Sequence, residues 1–127
     1  MAEITKKAPS VLIVDDDESI RVLLKKQMQA DGYTVSTMDN GRDAITAAVE
    51  SPPDVVLLDA LMPATSGFEV AEVLKSTEAT RNVPIIMVTA SKEVDLVKKS
   101  FSSGCVLFLP KPFTAASLLS LLQLVLK

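Results

Sequence analysis

Acidic side chains directly follow two apolar runs of the sequence, and a lysine closely follows a third. Asp15 and Asp16 come after Val-Leu-Ile-Val, Asp59 comes after Val-Val-Leu-Leu, and Lys111 comes near the C-terminal end. Two carboxylates about 5 Å apart repel by roughly 3 kcal/mol at an effective dielectric constant near 20. A cluster of such groups therefore needs a bound cation or a raised pKa.

Magnesium fits this set of side chains because the chain has no histidine and a single cysteine, so oxygen ligands dominate. A carboxylate beside Mg2+ can attack phosphorus and form an acyl phosphate. Lys111 can stabilise the oxygens that gain charge, and Thr89, at the end of another apolar run, can bind a phosphoryl oxygen. Each Asp or Thr alone is equally explained as a helix cap, and we expect Asp17 to be one.

Five strand-and-helix units are needed to position these residues. Apolar runs predict strands over 11–14, 33–38, 55–58, 84–88 and 106–109, and helical spacing predicts helices over 18–30, around 44–49, over 66–76, over 93–102, and from a Thr114 cap to the C-terminus. Alternating strands and helices predict a three-layer α/β/α sandwich on a five-stranded parallel sheet. The common order 2-1-3-4-5 places the functional crevice at the carboxyl ends of strands one and three.

Composition limits the class of protein. The 127 residues fit one domain, predicted over 10–127 after a flexible polar tail over 1–9. A net charge of −3 provides no basic field, so we expect no direct contact with nucleic acid. No apolar stretch reaches the length of a membrane span or a secretory signal, which favours a cytoplasmic protein without membrane contact. Cys105 cannot form an internal disulfide.

In combination, these residues resemble the receiver domain of two-component response regulators, a family that includes chemotaxis regulators. The resemblance runs from about Ser10 to Lys127. The motifs that carry it are Ile13-Val14-Asp15-Asp16, Leu57-Leu58-Asp59-Ala60-Leu61-Met62-Pro63, Gly67, Val88-Thr89-Ala90 and Lys111-Pro112-Phe113. It implies a flavodoxin-like fold and a phosphoacceptor switch that is not an enzyme in the usual sense.

The resemblance also implies a role for each site residue. Asp59 takes a phosphoryl group from the phosphohistidine of a sensor histidine kinase or a histidine phosphotransfer protein. Mg2+ is bound by Asp16, Asp59 and the Leu61 backbone carbonyl, and Asp15 acts largely through water.

Three further roles follow from the same resemblance. Thr89, Ala90 and Lys111 support the phosphoryl group, and the Lys111-Pro112 peptide bond is expected to be cis. Thr89 moves toward the phosphoryl group, and Phe108, where the family often has tyrosine, swings inward behind it.

The last predicted helix is unusually apolar, with only Ser117, Ser120 and Gln123 as a narrow polar stripe. Deep packing on the sheet explains one face, and the remainder predicts a contact surface formed by helix 4, strand 5 and helix 5 for a downstream protein or a second copy. The residues assigned to partner contacts are Val106, Leu107, Leu119 and Leu122, with Ile20 on the first helix as a contact for the phosphodonor. A core role for Ile20 is equally consistent with the pattern.

Four alternatives remain open from the sequence. A receiver-fold scaffold without phosphorylation has the same pattern. The segment 15–19 also fits the start of haloacid-dehalogenase-like phosphatases, although no acidic residue follows Lys111 as that family requires. A flavin-binding carrier shares the strand order but needs a phosphate-cradling first loop instead of an acidic one. The chain can also be a fragment of a longer protein in which the last helix continues.

Overall fold

Strands and helices alternate throughout the described residues, 8–90 and 94–126, of the computed structural model. The strands are β1 Ser10–Val14, β2 Thr34–Met38, β3 Val55–Asp59, β4 Ile85–Thr89 and β5 Leu107–Pro110. The helices are α1 Glu18–Ala30, α2 Gly41–Glu50, α3 Gly67–Ser76, α4 Val94–Ser102 and α5 Ala115–Val125. Residues 1–7 of the predicted tail over 1–9 lie outside the described residues. So do residue 93, the first of the predicted fourth helix, and residue 127, the last of the predicted fifth helix.

The five strands form one parallel sheet in the order β2-β1-β3-β4-β5, as predicted. In the register of the sheet, Val14 lies beside Leu58 and Asp59 lies beside Val88. The carboxyl ends of β1, β3 and β4 are therefore nearly level. The strand order reverses between β1 and β3, which opens a crevice at this edge for the residues that follow the strands.

Two apolar cores, one on each face of the sheet, hold the helices. Leu12 and Val14 of β1 face the core that contains buried residues of α2 and α3, while Val11 and Ile13 face the core shared with α1 and α5. Burial on both faces explains why the strands are continuous apolar runs instead of alternating ones. The predicted three-layer α/β/α sandwich is confirmed.

Polar caps determine where two of the helices near the site begin. Asp17 accepts hydrogen bonds from the backbone N–H groups of Ser19 and Ile20, and its side chain is exposed, as expected. Thr114 accepts a hydrogen bond of 3.0 Å from the backbone N–H of Ser117 at the start of α5. Both predicted caps are confirmed, and the Lys111-Pro112 peptide bond is cis.

Helix α5 packs more deeply than its sequence suggested. Leu118 and Leu122 are fully buried in the core shared with α1, because residues four apart lie on the same face of a helix. The assignment of Leu122 to a partner surface is therefore wrong. Leu119 is half-buried against the same core, while Leu124 is 61% exposed.

The other residues assigned to partner contacts are at least partly accessible. Val106 is 46% exposed and lies one residue before β5, which begins at Leu107 instead of the predicted 106. Leu107 and Ile20 are half-buried, and both pack against the core that α1 and α5 share. Within the described ranges, no helix is long and apolar enough to cross a membrane.

Candidate functional site

Three carboxylates meet at the carboxyl ends of β1 and β3. Asp15 and Asp16 follow β1 directly, and Asp59 is the last residue of β3. One oxygen from each of the three carboxylates lies within 4.8 Å of the others. Asp15 and Asp59 are only 3% and 6% exposed, whereas Asp16 is exposed. The site is thus an acidic pocket with one open side.

Lys111 places a positive charge between the two buried carboxylates. Its Nζ atom is 2.7 Å from Oδ2 of Asp15 and 3.4 Å from Oδ2 of Asp59. The lysine reaches them because β5 ends one residue earlier, two strands away from β3. The predicted convergence of Asp15, Asp59 and Lys111 is therefore present in the structure.

The turn after β3 holds the Asp59 carboxylate from the other side. The backbone N–H of Leu61 donates a 3.1 Å hydrogen bond to Oδ1 of Asp59, and the N–H of Gly67 donates to the carbonyl of Ala60. A Cβ atom at Gly67 would overlap the Asp59 carbonyl oxygen and lie 2.8 Å from the Ala60 Cα. Only glycine lets the start of α3 approach β3 this closely.

Burial and charge act in opposite directions on the titrating groups. Burial raises the pKa of Asp59, the Leu61 hydrogen bond and the Lys111 charge lower it, and the Asp15 charge raises it; the net change is upward. Burial alone lowers the pKa of Lys111, but its hydrogen bond to Asp15 and the charges of Asp59 and Asp15 raise it overall. The lysine is therefore charged at neutral pH, and a further cation bound beside Asp59 would lower the pKa of that carboxyl.

Thr89 and Ala90 lie at the end of the neighbouring strand. Thr89 is fully buried, and its carbonyl oxygen accepts a 2.7 Å hydrogen bond from the backbone N–H of Lys111. Ala90 follows at an exposed position. Phe108 lies on β5 beside Met87 and is half-buried against the core of α2 and α3. Thr89 thus links the site to the strand that carries Phe108.

Sequence reasoning missed one contact of this pocket. Nη1 of Arg21 donates a 2.8 Å hydrogen bond to the backbone carbonyl of Asp15. The only signal in the sequence was that a positive charge near a helix N-terminus is unfavourable with respect to the helix dipole, which does not identify the acceptor. Arg21 is the fourth residue of α1.

This geometry suits a hard cation together with an anionic group. The three clustered carboxylates offer oxygen ligands, and Lys111 is already positioned to face negative charge. The family model described as "Response regulator receiver domain" matches residues 11–123. This chain belongs to the response regulator receiver domain family. Receiver domains of this family are the signalling switches of two-component systems, so the predicted class is confirmed.

Relatives and solved structures of the family cover most of the chain. The phosphate regulon transcriptional regulatory protein PhoB of Pseudomonas aeruginosa is 36% identical over 118 residues, which are 93% of this chain and 52% of that protein. Chemotaxis protein CheY4 of Vibrio cholerae has a TM-score of 0.89 at 33% identity, covering 93% of this chain and 98% of that one. The BeF3-activated DrrB receiver domain has a TM-score of 0.85 at 28% identity, covering 94% and 97%. This receiver domain spans about half the length of the curated relatives it matches.

Proposed function

We propose that this receiver domain accepts a phosphoryl group on Asp59 from the phosphohistidine of a sensor histidine kinase or a histidine phosphotransfer protein. The observation that carries the proposal is the cluster of Asp15, Asp16 and Asp59 oxygens within 4.8 Å, with the Lys111 ammonium 2.7 Å and 3.4 Å from two of them. Three clustered carboxylates, two of them in contact with one lysine, at the crevice of the sheet are the arrangement that this function requires.

Mg2+ is the cofactor that these residues fit. Its ligands in this proposal are the carboxylates of Asp16 and Asp59 and the backbone carbonyl of Leu61, with Asp15 acting through water. Oxygen ligands and an open side that leaves room for water suit Mg2+, which keeps several waters when it binds to proteins. When bound, it supplies positive charge to the carboxylates and to the phosphoryl oxygens.

In the reaction, a carboxylate oxygen of Asp59 attacks phosphorus and forms a P–O bond. The P–N bond to the donor imidazole breaks, and its electron pair stays on the ring nitrogen. The Leu61 N–H already holds Oδ1 of Asp59, while Lys111 lies at Oδ2. In this proposal the Thr89 hydroxyl and the Ala90 backbone bind the phosphoryl oxygens. The protein modifies itself, so its own chemistry is limited to self-phosphorylation from small donors and hydrolysis of its acyl phosphate.

The signal leaves through the surface of α4, β5 and α5. The bond from the Lys111 N–H to the Thr89 carbonyl couples the end of β4 to β5, where Phe108 is the proposed switch residue. Val106 and Leu124 expose apolar surface in this region. The proposed occupant is a downstream protein or a second copy of this chain, and Ile20 is the proposed contact for the phosphodonor.

We place the receiver domain over 10–127 in the cytoplasm and assign it no direct nucleic-acid or membrane contact. PhoB is named a transcriptional regulatory protein, and RpaA of Synechocystis is named a DNA-binding transcriptional regulator. The matches cover only about half of those proteins. With a net charge of −3, this chain has no basic field of its own to attract a phosphate backbone.

The test is an amide NMR spectrum recorded before and after the addition of Mg2+ with beryllium fluoride, and then with acetyl phosphate. We expect shifts at Asp59, Thr89 and Phe108, and their loss in Asp59→Asn. Asp31→Asn, at an exposed position at the end of α1, is the matched control and keeps the response.

Other outcomes identify the alternatives. A wild-type spectrum that does not change would contradict the proposal and favour a scaffold without phosphorylation. Steady release of phosphate from added phosphoesters, abolished by Asp15→Asn, would instead indicate the phosphatase.

A further inference from the structure

All four polar groups of Asp15 have a partner. Its backbone N–H donates to the Met38 carbonyl at 3.2 Å, Oδ1 accepts from the Asp17 N–H at 2.9 Å, and Oδ2 accepts from Lys111 at 2.7 Å. The fourth group, the backbone carbonyl, accepts the 2.8 Å hydrogen bond from Nη1 of Arg21. Of these four contacts, only the one from Arg21 is made to the peptide group that joins Asp15 to Asp16.

Asp16 has no comparable support. Its side chain is exposed, and we find no hydrogen bond to its carboxylate within residues 8–90 and 94–126. The direction of this carboxylate therefore depends on its backbone. The Asp15–Asp16 peptide plane is rigid, so its orientation fixes the direction of the N–Cα bond of Asp16, and together with the φ angle of Asp16 it sets where the Cα–Cβ bond points.

We propose that Arg21 is a positioning residue that orients Asp16 for magnesium by holding the Asp15 carbonyl. The inference rests on the proposed function, since it takes Asp16 as a ligand. Arg21 is half-buried on the first turns of α1, so its guanidinium is already fixed beside the loop when the metal arrives. A planar guanidinium presents several donors in a rigid arrangement, which a flexible lysine ammonium does not reproduce.

The contact acts on the metal through geometry and not through charge. A positive guanidinium near the site opposes a divalent cation, so loss of the charge alone would strengthen magnesium binding. Loss of the hydrogen bond lets the peptide group change its orientation and thereby weakens magnesium binding. Partners that orient metal ligands typically contribute tenfold to a hundredfold in affinity. The two effects change magnesium affinity in opposite directions, so the direction of the measured change shows whether the geometry or the charge of Arg21 dominates.

The experiment is a magnesium titration of the apo protein followed by amide NMR, on wild type, Arg21→Gln, Arg21→Lys and Arg42→Gln. Arg42 is exposed on α2, and its replacement removes the same charge without touching the loop. We expect the dissociation constant of Arg21→Gln to rise about tenfold or more above that of Arg42→Gln, with Arg21→Lys between them. At saturating magnesium, the phosphorylation rate of Arg21→Gln from acetyl phosphate should approach that of wild type.

Each other result has a definite meaning. A dissociation constant of Arg21→Gln within twofold of the Arg42→Gln value overturns the inference, as does a phosphorylation rate that stays low at every magnesium concentration. If Arg21→Gln fails to fold, the magnesium affinity of Arg21→Lys decides the question. A magnesium affinity equal to that of wild type overturns the inference, and a threefold or larger loss of affinity supports it. If wild type itself binds no magnesium, the proposed function fails as well. If wild type binds and the variants bind equally, only the role of Arg21 fails.

Discussion

Replacing Gly67 by alanine tests the close approach of α3 to the strand that carries Asp59. The added methyl carbon would lie 2.8 Å from the Cα of Ala60 and overlap the carbonyl oxygen of Asp59. Carbon atoms in contact need about 3.5 Å, so α3 and the end of β3 must separate by about 0.7 Å at Ala60 and further at Asp59. The obstacle is backbone, which cannot rotate away as a side chain can.

The size of the effect follows from this displacement. Forcing an extra methyl group into a packed interior costs about 1–3 kcal/mol, and the higher helix propensity of alanine offsets up to about 1 kcal/mol of it. We expect a loss of about 2 kcal/mol in the free energy of unfolding, or a fall of about 7 °C in Tm. A shift approaching 1 Å at the nucleophile should slow phosphorylation about tenfold to a hundredfold.

Gly41→Ala is the matched control for this change. Gly41 is also the first residue of a helix, but a Cβ atom there would meet side-chain atoms, 2.5 Å from Cγ2 of Val70 and 2.9 Å from Cγ2 of Thr65. Urea unfolding should show both variants destabilised, whereas the rate of phosphorylation by acetyl phosphate should fall strongly only in Gly67→Ala. Equal phosphorylation rates in the two variants would refute the reasoning that Gly67 positions Asp59.

Two further predictions concern the cores. Leu122 is fully buried, so Leu122→Ala should lower the free energy of unfolding, measured in urea, by about 2–5 kcal/mol. Leu124 is exposed, so Leu124→Ala should change it by less than about 0.5 kcal/mol. Similar losses in the two variants would contradict the packing of α5. Burial raises the pKa of the Cys105 thiol from 9.0 to about 11, so folding favours the neutral thiol. This preference contributes on the order of 3 kcal/mol to the free energy of unfolding. The contribution is complete below pH 9 and is lost as the pH rises through 11. Between pH 8 and 11, the Tm should fall more steeply with pH in wild type than in Cys105→Ala. Tm values that fall in parallel in the two proteins would contradict this prediction.

The fold and the central site could be predicted because the apolar runs end abruptly at polar residues. Val11 to Val14 are buried on both faces of the sheet, and a strand of this kind is a continuous apolar run in the sequence. Parallel topology then gathers the strand ends, which is enough to bring Asp59 near Asp15 without knowledge of any side-chain conformation. The resemblance to receiver domains added the cis peptide at Lys111-Pro112, which spacing alone does not indicate.

The remaining features depend on tertiary contacts that the sequence does not encode locally. Helix α5 is apolar around most of its circumference, so its periodicity could not distinguish the buried Leu122 from the exposed Leu124. The contact from Arg21 to the Asp15 carbonyl depends on the conformation of a long side chain. The predicted start of β5 at Val106 is one residue early, because the regular pairing with β4 begins at Leu107, although the Val106 N–H already donates to the Ile85 carbonyl.

The ion pair between Lys111 and Asp15 has a consequence for the order in which the molecule is made. It joins residues 96 positions apart, one directly after β1 and one directly after β5. Contacts of such long separation form only once the intervening chain has closed, and the N-terminal part of a protein emerges first. A nascent or half-assembled chain therefore has the carboxylates of Asp15 and Asp59 but not yet the Lys111 ammonium that lies against them. Under the function proposed above, a phosphoryl group would then meet the complete arrangement of charges only after β5 has joined the sheet.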